Sequence, residues 1–148
     1  MNRIQQVFNN GKALMAHVYF GDPTPEFSIN QIKAMLEGGV DIIELGIPFS
    51  DPTADGPVFQ DACKRALARG TTPDDVFDGL VEIRGAGIEA PVVITTYYNI
   101  VQKMGEQEFV SRIAEAGADG IIVPDLPMEE SQKLQTLCKE ADLSFIHL

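Results

Sequence analysis

Residues Ile42 to Arg65 read IIELGIPFSDPTADGPVFQDACKR, and this stretch decides the fold. It opens with an apolar, β-prone run, Ile42–Gly46, interrupted by a single carboxylate, Glu44. An elaborate loop follows, with Pro48, Ser50, Asp51, Pro52, Thr53, Asp55, Gly56 and Pro57, and then an amphipathic pattern from Val58 to Arg69. Strand, loop, helix is the unit of an α/β protein. A charged residue inside such a strand either points to solvent, is structurally paired, or is buried and functional. If it is buried without a cation, its carboxyl pKa rises and it can hold a proton near neutrality, as a general acid must. Asp55-Gly56 is a ready turn, so Asp55 has a plain turn-forming reading as well. At the carboxyl end of a parallel strand, however, Glu44 and Asp55 would project toward one face.

The same unit recurs outward from this stretch. Further apolar runs fall at Ala13–Phe20, Val92–Thr96, Ile121–Val123 and Ser144–Leu148, with helical patterns at Ser28–Glu37, Asp74–Arg84, Glu106–Ala116 and Glu129–Glu140. The runs are nearly continuous in apolar character, as expected of a parallel sheet covered by helices. Thr72-Pro73 with Asp74 and Asp75 forms a helix start signal. Residues Glu37 to Ile43, EGGVDII, resemble Glu115 to Ile121, EAGADGI: a helix end, a glycine able to take positive φ, and an Asp leading into a strand. Such repeats suit a barrel or an open doubly wound sheet equally. No G-x-G-x-x-G or P-loop pattern marks the strand–helix junctions, and Gly21-Asp22-Pro23 is a turn signal only.

Composition narrows the function classes. The 148 residues carry 22 acidic against 11 basic side chains, a formal charge of −11. That surface argues against nucleic acid and anionic lipid as partners, although backbone N–H groups could still hold a small phosphorylated substrate. Cys63 and Cys138 form no disulfide framework or zinc pattern, so no metal is expected. The first ten residues are too polar for a signal peptide and no run spans a bilayer, which makes the cytoplasm the expected location. His17 and His147 lack a partner pattern and are expected to need no functional explanation.

The run from Glu44 to Pro57, with Gln60, Arg65 and Ala66, resembles the signature of the tryptophan synthase alpha family. Gly21-Asp22-Pro23, Tyr97-Tyr98-Asn99 and Asp125-Leu126-Pro127 fall at family positions in the right order. The resemblance covers essentially the whole chain and implies a (β/α)8 TIM barrel, here its first four βα units and the start of the fifth strand, within one domain of residues 1–148. It implies a carbon–carbon lyase that splits indole-3-glycerol phosphate into indole and glyceraldehyde 3-phosphate in tryptophan biosynthesis, with no cofactor of its own.

On this resemblance Glu44 is the acid/base that protonates the indole ring carbon and helps to deprotonate the glycerol hydroxyl. Asp55 hydrogen-bonds the indole N–H. Phe20, Tyr97 and Ile122 line the substrate pocket; Asp125, at the end of another strand, either has a structural role or positions the site or the partner-facing loops. Near His17 a typical member has Tyr. The implied partner is a tryptophan synthase beta chain, in an assembly of two alpha and two beta chains, with pyridoxal phosphate on the beta chain; Asp51, Pro52, Asn99 and Pro127 would face it.

A full barrel takes about 250 residues. The chain is therefore expected to be a piece of a longer one, lacking the phosphate-binding half and active-site lid, exposing strand edges, and inactive by itself. The alternatives are a noncatalytic module that docks on a beta chain and another phosphosugar barrel enzyme.

Overall fold

The computed structural model describes residues 2–148 and contains one five-stranded parallel sheet in the order β1-β2-β3-β4-β5. The strands are β1 (Met15–Tyr19), β2 (Ile42–Gly46), β3 (Val92–Thr95), β4 (Gly120–Ile122) and β5 (Ser144–Ile146). The helices are α1 (Arg3–Phe8), α2 (Pro25–Glu37), α3 (Pro57–Ala68), α4 (Pro73–Gly85), α5 (Tyr98–Met104), α6 (Glu106–Ala116) and α7 (Gln132–Glu140), with a 3-10 turn at Met128–Glu130. Each strand joins its sequence neighbour, so the βα pattern expected from the alternation is the pattern observed. None of the described helices is long and apolar enough to cross a membrane.

The sheet is apolar on both faces, which is why its strands do not alternate in sequence. Toward the helices, Val18, Ile43, Leu45, Val92, Ile94 and Ile121 pack with Ile32, Leu80, Ile83, Phe109, Ile113 and Leu134. On the opposite, inner face, Ile42, Val93 and Ile122 meet Ile4 of α1. The register sets His17 beside Glu44, Tyr19 beside Gly46, and Thr95 beside both Gly46 and Ile122. Polar residues thus share the inner face with the smaller apolar cluster.

Two helices are not foreseen by the apolar pattern. In α1 only Ile4 is buried, and a capping box between Asn2 and Gln5 supplies its start. In α5 only Val101 is buried, and its first amide, Tyr98 N, donates to Asp125 Oδ1 at 2.8 Å. That hydrogen bond is the structural role of Asp125. The Thr72 start signal is a working cap: its hydroxyl accepts from Asp75 N, and Asp75 Oδ2 accepts from Thr72 N at 2.8 Å.

The repeated Asp does more than turn the chain. Asp41 Oδ2 accepts the amide of Leu14, just before β1, and Asp119 Oδ2 accepts that of Val92, which begins β3. Each Asp therefore ties the start of its own strand to the start of the preceding one. Asp119 is 4% exposed and also pairs with Arg84 at 2.7 Å and Arg3 at 3.1 Å. Arg84 donates further to the carbonyls of Gly117, Ile88 and Ala90. Removing one partner strands the others in a desolvated site. Asp119→Ala is expected to lower unfolding free energy by about 3 kcal/mol or more, read as a lower urea midpoint; a midpoint within error of the parent would refute this account.

Candidate active site

Glu44 is the middle residue of β2 and points to the inner face, with its side chain 18% exposed. Thr95 Oγ1 donates to Glu44 Oε1 at 2.7 Å, and His17 Nδ1 lies 3.1 Å from the same oxygen. Burial alone pushes this carboxyl up. The hydrogen bonds from His17 and Thr95, together with the charge of His17, more than offset it, so the pKa falls below the ordinary carboxylate value. This corrects the expectation of a carboxyl buried without a cation and so kept protonatable: its neighbours are a histidine and a hydroxyl. It also corrects the reading of His17, whose partner is Glu44. His147 lies apart from both carboxylates, beside Gln135 at 3.2 Å and edge to face with Phe145 at 4.7 Å.

Asp55 lies in the loop between β2 and α3, and two tyrosines hold it. Tyr19 Oη donates to Asp55 Oδ2, and Tyr97 Oη donates to the same oxygen at 3.0 Å. Burial first, then the carboxylate, keeps both phenols protonated: the Tyr19 pKa is raised and that of Tyr97 is pushed up to about 12. Tyr97 Oη also accepts the amide of Ala54 at 3.0 Å, and Phe49 stacks on its ring at 5.3 Å. Gln60 Nε2 closes the loop from α3 by donating to the Asp55 carbonyl at 2.8 Å. The loop is thus anchored to β1, to the end of β3 and to α3.

β1 links the two carboxylates. His17 reaches Glu44, and Tyr19, two residues on, reaches Asp55; the two rings meet edge to face at 4.5 Å. Gly46 makes room for both, because a Cβ there would lie 2.6 Å from Tyr19 Cδ1 and 2.9 Å from His17 Cε1. A carboxylate that accepts from two phenols and a carboxyl set beside an imidazole can divide charge stabilisation from proton transfer.

The remaining expected site residues separate. Ile122 is on the inner face, beside Thr95 in register, where an apolar wall belongs. Tyr97 is 2% exposed and serves as an anchor of the Asp55 loop. Phe20 does not line this site: it packs in the helix-facing core, where Gly79 of α4 comes so close that a Cβ would lie 2.2 Å from the ring. It follows the even-numbered parity of Val18, opposite to His17 and Tyr19. Asp51, Asn99 and Pro127 are exposed, whereas Pro52 is buried and shapes its loop from within. Phe49, Thr72, Asn99, Lys103 and Arg112 line part of a cleft of about 600 Å³ beside this loop, and neither carboxylate is among its lining residues.

His17, Tyr19 and Thr95, which hold the two carboxylates, are the residues that sequence reasoning missed. Their signal was strand parity: His17 and Tyr19 stand two apart in β1 and Thr95 ends β3, all on the face that Glu44 selects.

The family model described as tryptophan synthase alpha chain matches residues 4–148. The tryptophan synthase alpha chain of Halalkalibacterium halodurans is 44% identical over 149 residues, covering 100% of this chain and 56% of that protein. Tryptophan synthase subunit alpha from Legionella pneumophila superposes with a TM-score of 0.93 at 38% identity, over 98% of this chain and 57% of that one. A chain of tryptophan synthase from M. tuberculosis, solved in an aminoacrylate-bound form, superposes at 0.91 with 35% identity, over 99% of this chain and 61% of that one. This chain spans about half the length of the curated relatives it matches.

Proposed function

The chain belongs to the tryptophan synthase alpha chain family, and from that membership we propose that it supplies the proton-transfer half of a (β/α) barrel lyase acting on indole-3-glycerol phosphate. The observation that carries the reading is the pairing of Glu44 and Asp55 through β1, on the inner face of a parallel sheet. Active sites of such barrels gather at the carboxyl ends of the strands and in the loops that follow.

The chemistry closes on these two groups. In the minority protonated form that its lowered pKa leaves, Glu44 gives its proton to the indole carbon that bears the glycerol chain, which places positive charge on the ring nitrogen. Asp55, fixed by Tyr19 and Tyr97, accepts the N–H and balances that charge. The hydroxyl next to the ring then returns a proton to Glu44 as the carbon–carbon bond breaks and its electrons re-form the indole. Indole and glyceraldehyde 3-phosphate leave, and Glu44 is protonated again. Two proton transfers and one cleavage balance without a redox or group-carrying cofactor, so none enters this reading.

Substrate phosphate would be held by the second half of the barrel. Joining this chain to the C-terminal half of the Halalkalibacterium halodurans relative is expected to yield indole release from indole-3-glycerol phosphate. A folded, complete barrel that binds substrate and releases none would refute the assignment.

A cytoplasmic beta chain carrying pyridoxal phosphate is the proposed recipient of the indole. Exposed Asp51 and Asn99 offer it polar contacts, and exposed Pro127 an apolar one. Asp51→Lys and Asn99→Arg are each expected to weaken capture of a matching beta chain at least about tenfold, the loss expected when a charge meets a complementary surface with the wrong sign. Undiminished capture by both variants would move the interface elsewhere.

A further inference from the structure

We propose that His17 is a positioning residue for Glu44: with Thr95 it occupies Oε1 of the carboxyl and leaves Oε2 as the oxygen that exchanges protons with substrate. This rests on the lyase reading for its purpose, though not for its geometry. Both hydrogen bonds at Glu44 converge on Oε1, from β1 on one side and β3 on the other. Two donors fixed by neighbouring strands define the carboxyl plane, and a carboxyl held in one plane presents its second oxygen in one direction.

His17 has no purpose as simple packing. Its ring lies 4.5 Å from Tyr19 and 4.5 Å from Phe59 of α3, an aromatic nest that by itself calls for no ring nitrogen. Instead its Nε2 is buried with no hydrogen-bond partner among the described residues. A buried ring nitrogen without a partner is unfavourable, so a histidine here is explained by what its other nitrogen does. That nitrogen, Nδ1, meets Glu44.

The groups around the pair are few and distinct. From β1 the imidazole of His17 faces Glu44, while the Tyr19 phenol reaches Asp55; from β3 Thr95 contributes an uncharged hydroxyl; from α3 Phe59 contributes an apolar ring. The depressed carboxyl pKa accords with this arrangement. Without His17, burial acts on Glu44 opposed by Thr95 alone, and its proton is held to higher pH. In the reaction Glu44 must start protonated, so the alkaline limb of kcat moves upward with it.

The test is a ¹³C NMR titration of the Glu44 carboxyl in this chain, with its resonance assigned by its loss in Glu44→Gln. Circular dichroism checks the fold of each variant. The carboxyl midpoint is expected to rise in His17→Phe and to rise less in His17→Asn, whose amide can still donate to Oε1. An unmoved or lowered midpoint in folded His17→Phe overturns the proposal. If that variant does not fold, His17→Asn decides alone: a rise supports the assignment and an unchanged midpoint overturns it. Because the titration needs no turnover, its failure leaves the lyase reading standing, and an inactive completed barrel with the expected midpoints would instead condemn that reading.

Discussion

In a barrel completed by a relative's C-terminal half, Glu44→Gln is expected to slow indole release by about a thousandfold or more, with KM changed by no more than about threefold. The amide preserves the shape of the side chain and can still accept from Thr95 and His17 through its carbonyl. What it cannot do is give up a proton to carbon and take one from a hydroxyl. Those events belong to the transition state, so kcat suffers and ground-state binding does not. If the substituted barrel turned over at a rate near the parent's, Glu44 would have to be a structural member of the inner face, and the proton would have to come from elsewhere. A large rise in KM at constant kcat would point instead to a binding role.

Asp55→Asn is expected to cost about a hundredfold to a thousandfold in kcat, the range seen when one preorganised electrostatic partner of a transition state is removed. Here the loss has two sources. The negative charge opposite the developing cation disappears. In addition, Asp55 Oδ2 accepts from two phenols, and an amide can offer its oxygen to them only by turning its own donors toward the indole N–H. Donor would then face donor. If the amide turns the other way, the phenols lose their acceptor and the loop loosens. Tyr97→Phe separates these effects: it leaves the carboxylate in place but removes the acceptor for Ala54 N and one donor to Asp55. A milder loss in Tyr97→Phe than in Asp55→Asn is the expected order, and the reverse order would make loop anchoring the dominant role.

The βα alternation was legible because apolar runs and amphipathic stretches differ in period: four of the five strands fall inside the runs read from the sequence, and β4 begins one residue before its run, at Gly120. Glu44 and Asp55 were legible because a carboxylate in a β-rich run and a second in an over-long loop are both unusual. What the pattern concealed was partnership. Whether Glu44 is walled by apolar groups or by His17 depends on the register of β1 against β2, a long-range property absent from local sequence. Phe20 was misplaced for a related reason: an apolar residue at a strand end belongs to either face until parity is counted from a fixed neighbour. α1 and α5 were hidden because each buries a single residue, too few to build a recognisable stripe.

The strictly sequential strand order bears on how the chain acquires its structure. Every strand pair joins sequence neighbours, and the side-chain ties Asp41 to Leu14 and Asp119 to Val92 both close loops between residues 27 apart. Loop-closure entropy grows slowly with length, by about 0.6 kcal/mol per doubling, so each unit can close without waiting for a distant segment. Parallel sheets generally fold slowly because their contacts are remote; here the remoteness is confined to the crossover between consecutive strands, which carries two helices from β2 to β3 and again from β3 to β4. Assembly can therefore advance along the growing polypeptide, each new strand docking on an edge already formed. In pulse-labelling hydrogen exchange, amides of β2 are accordingly expected to gain protection no later than those of β4, and earlier protection of β4 would mean that the sheet nucleates from its C-terminal side.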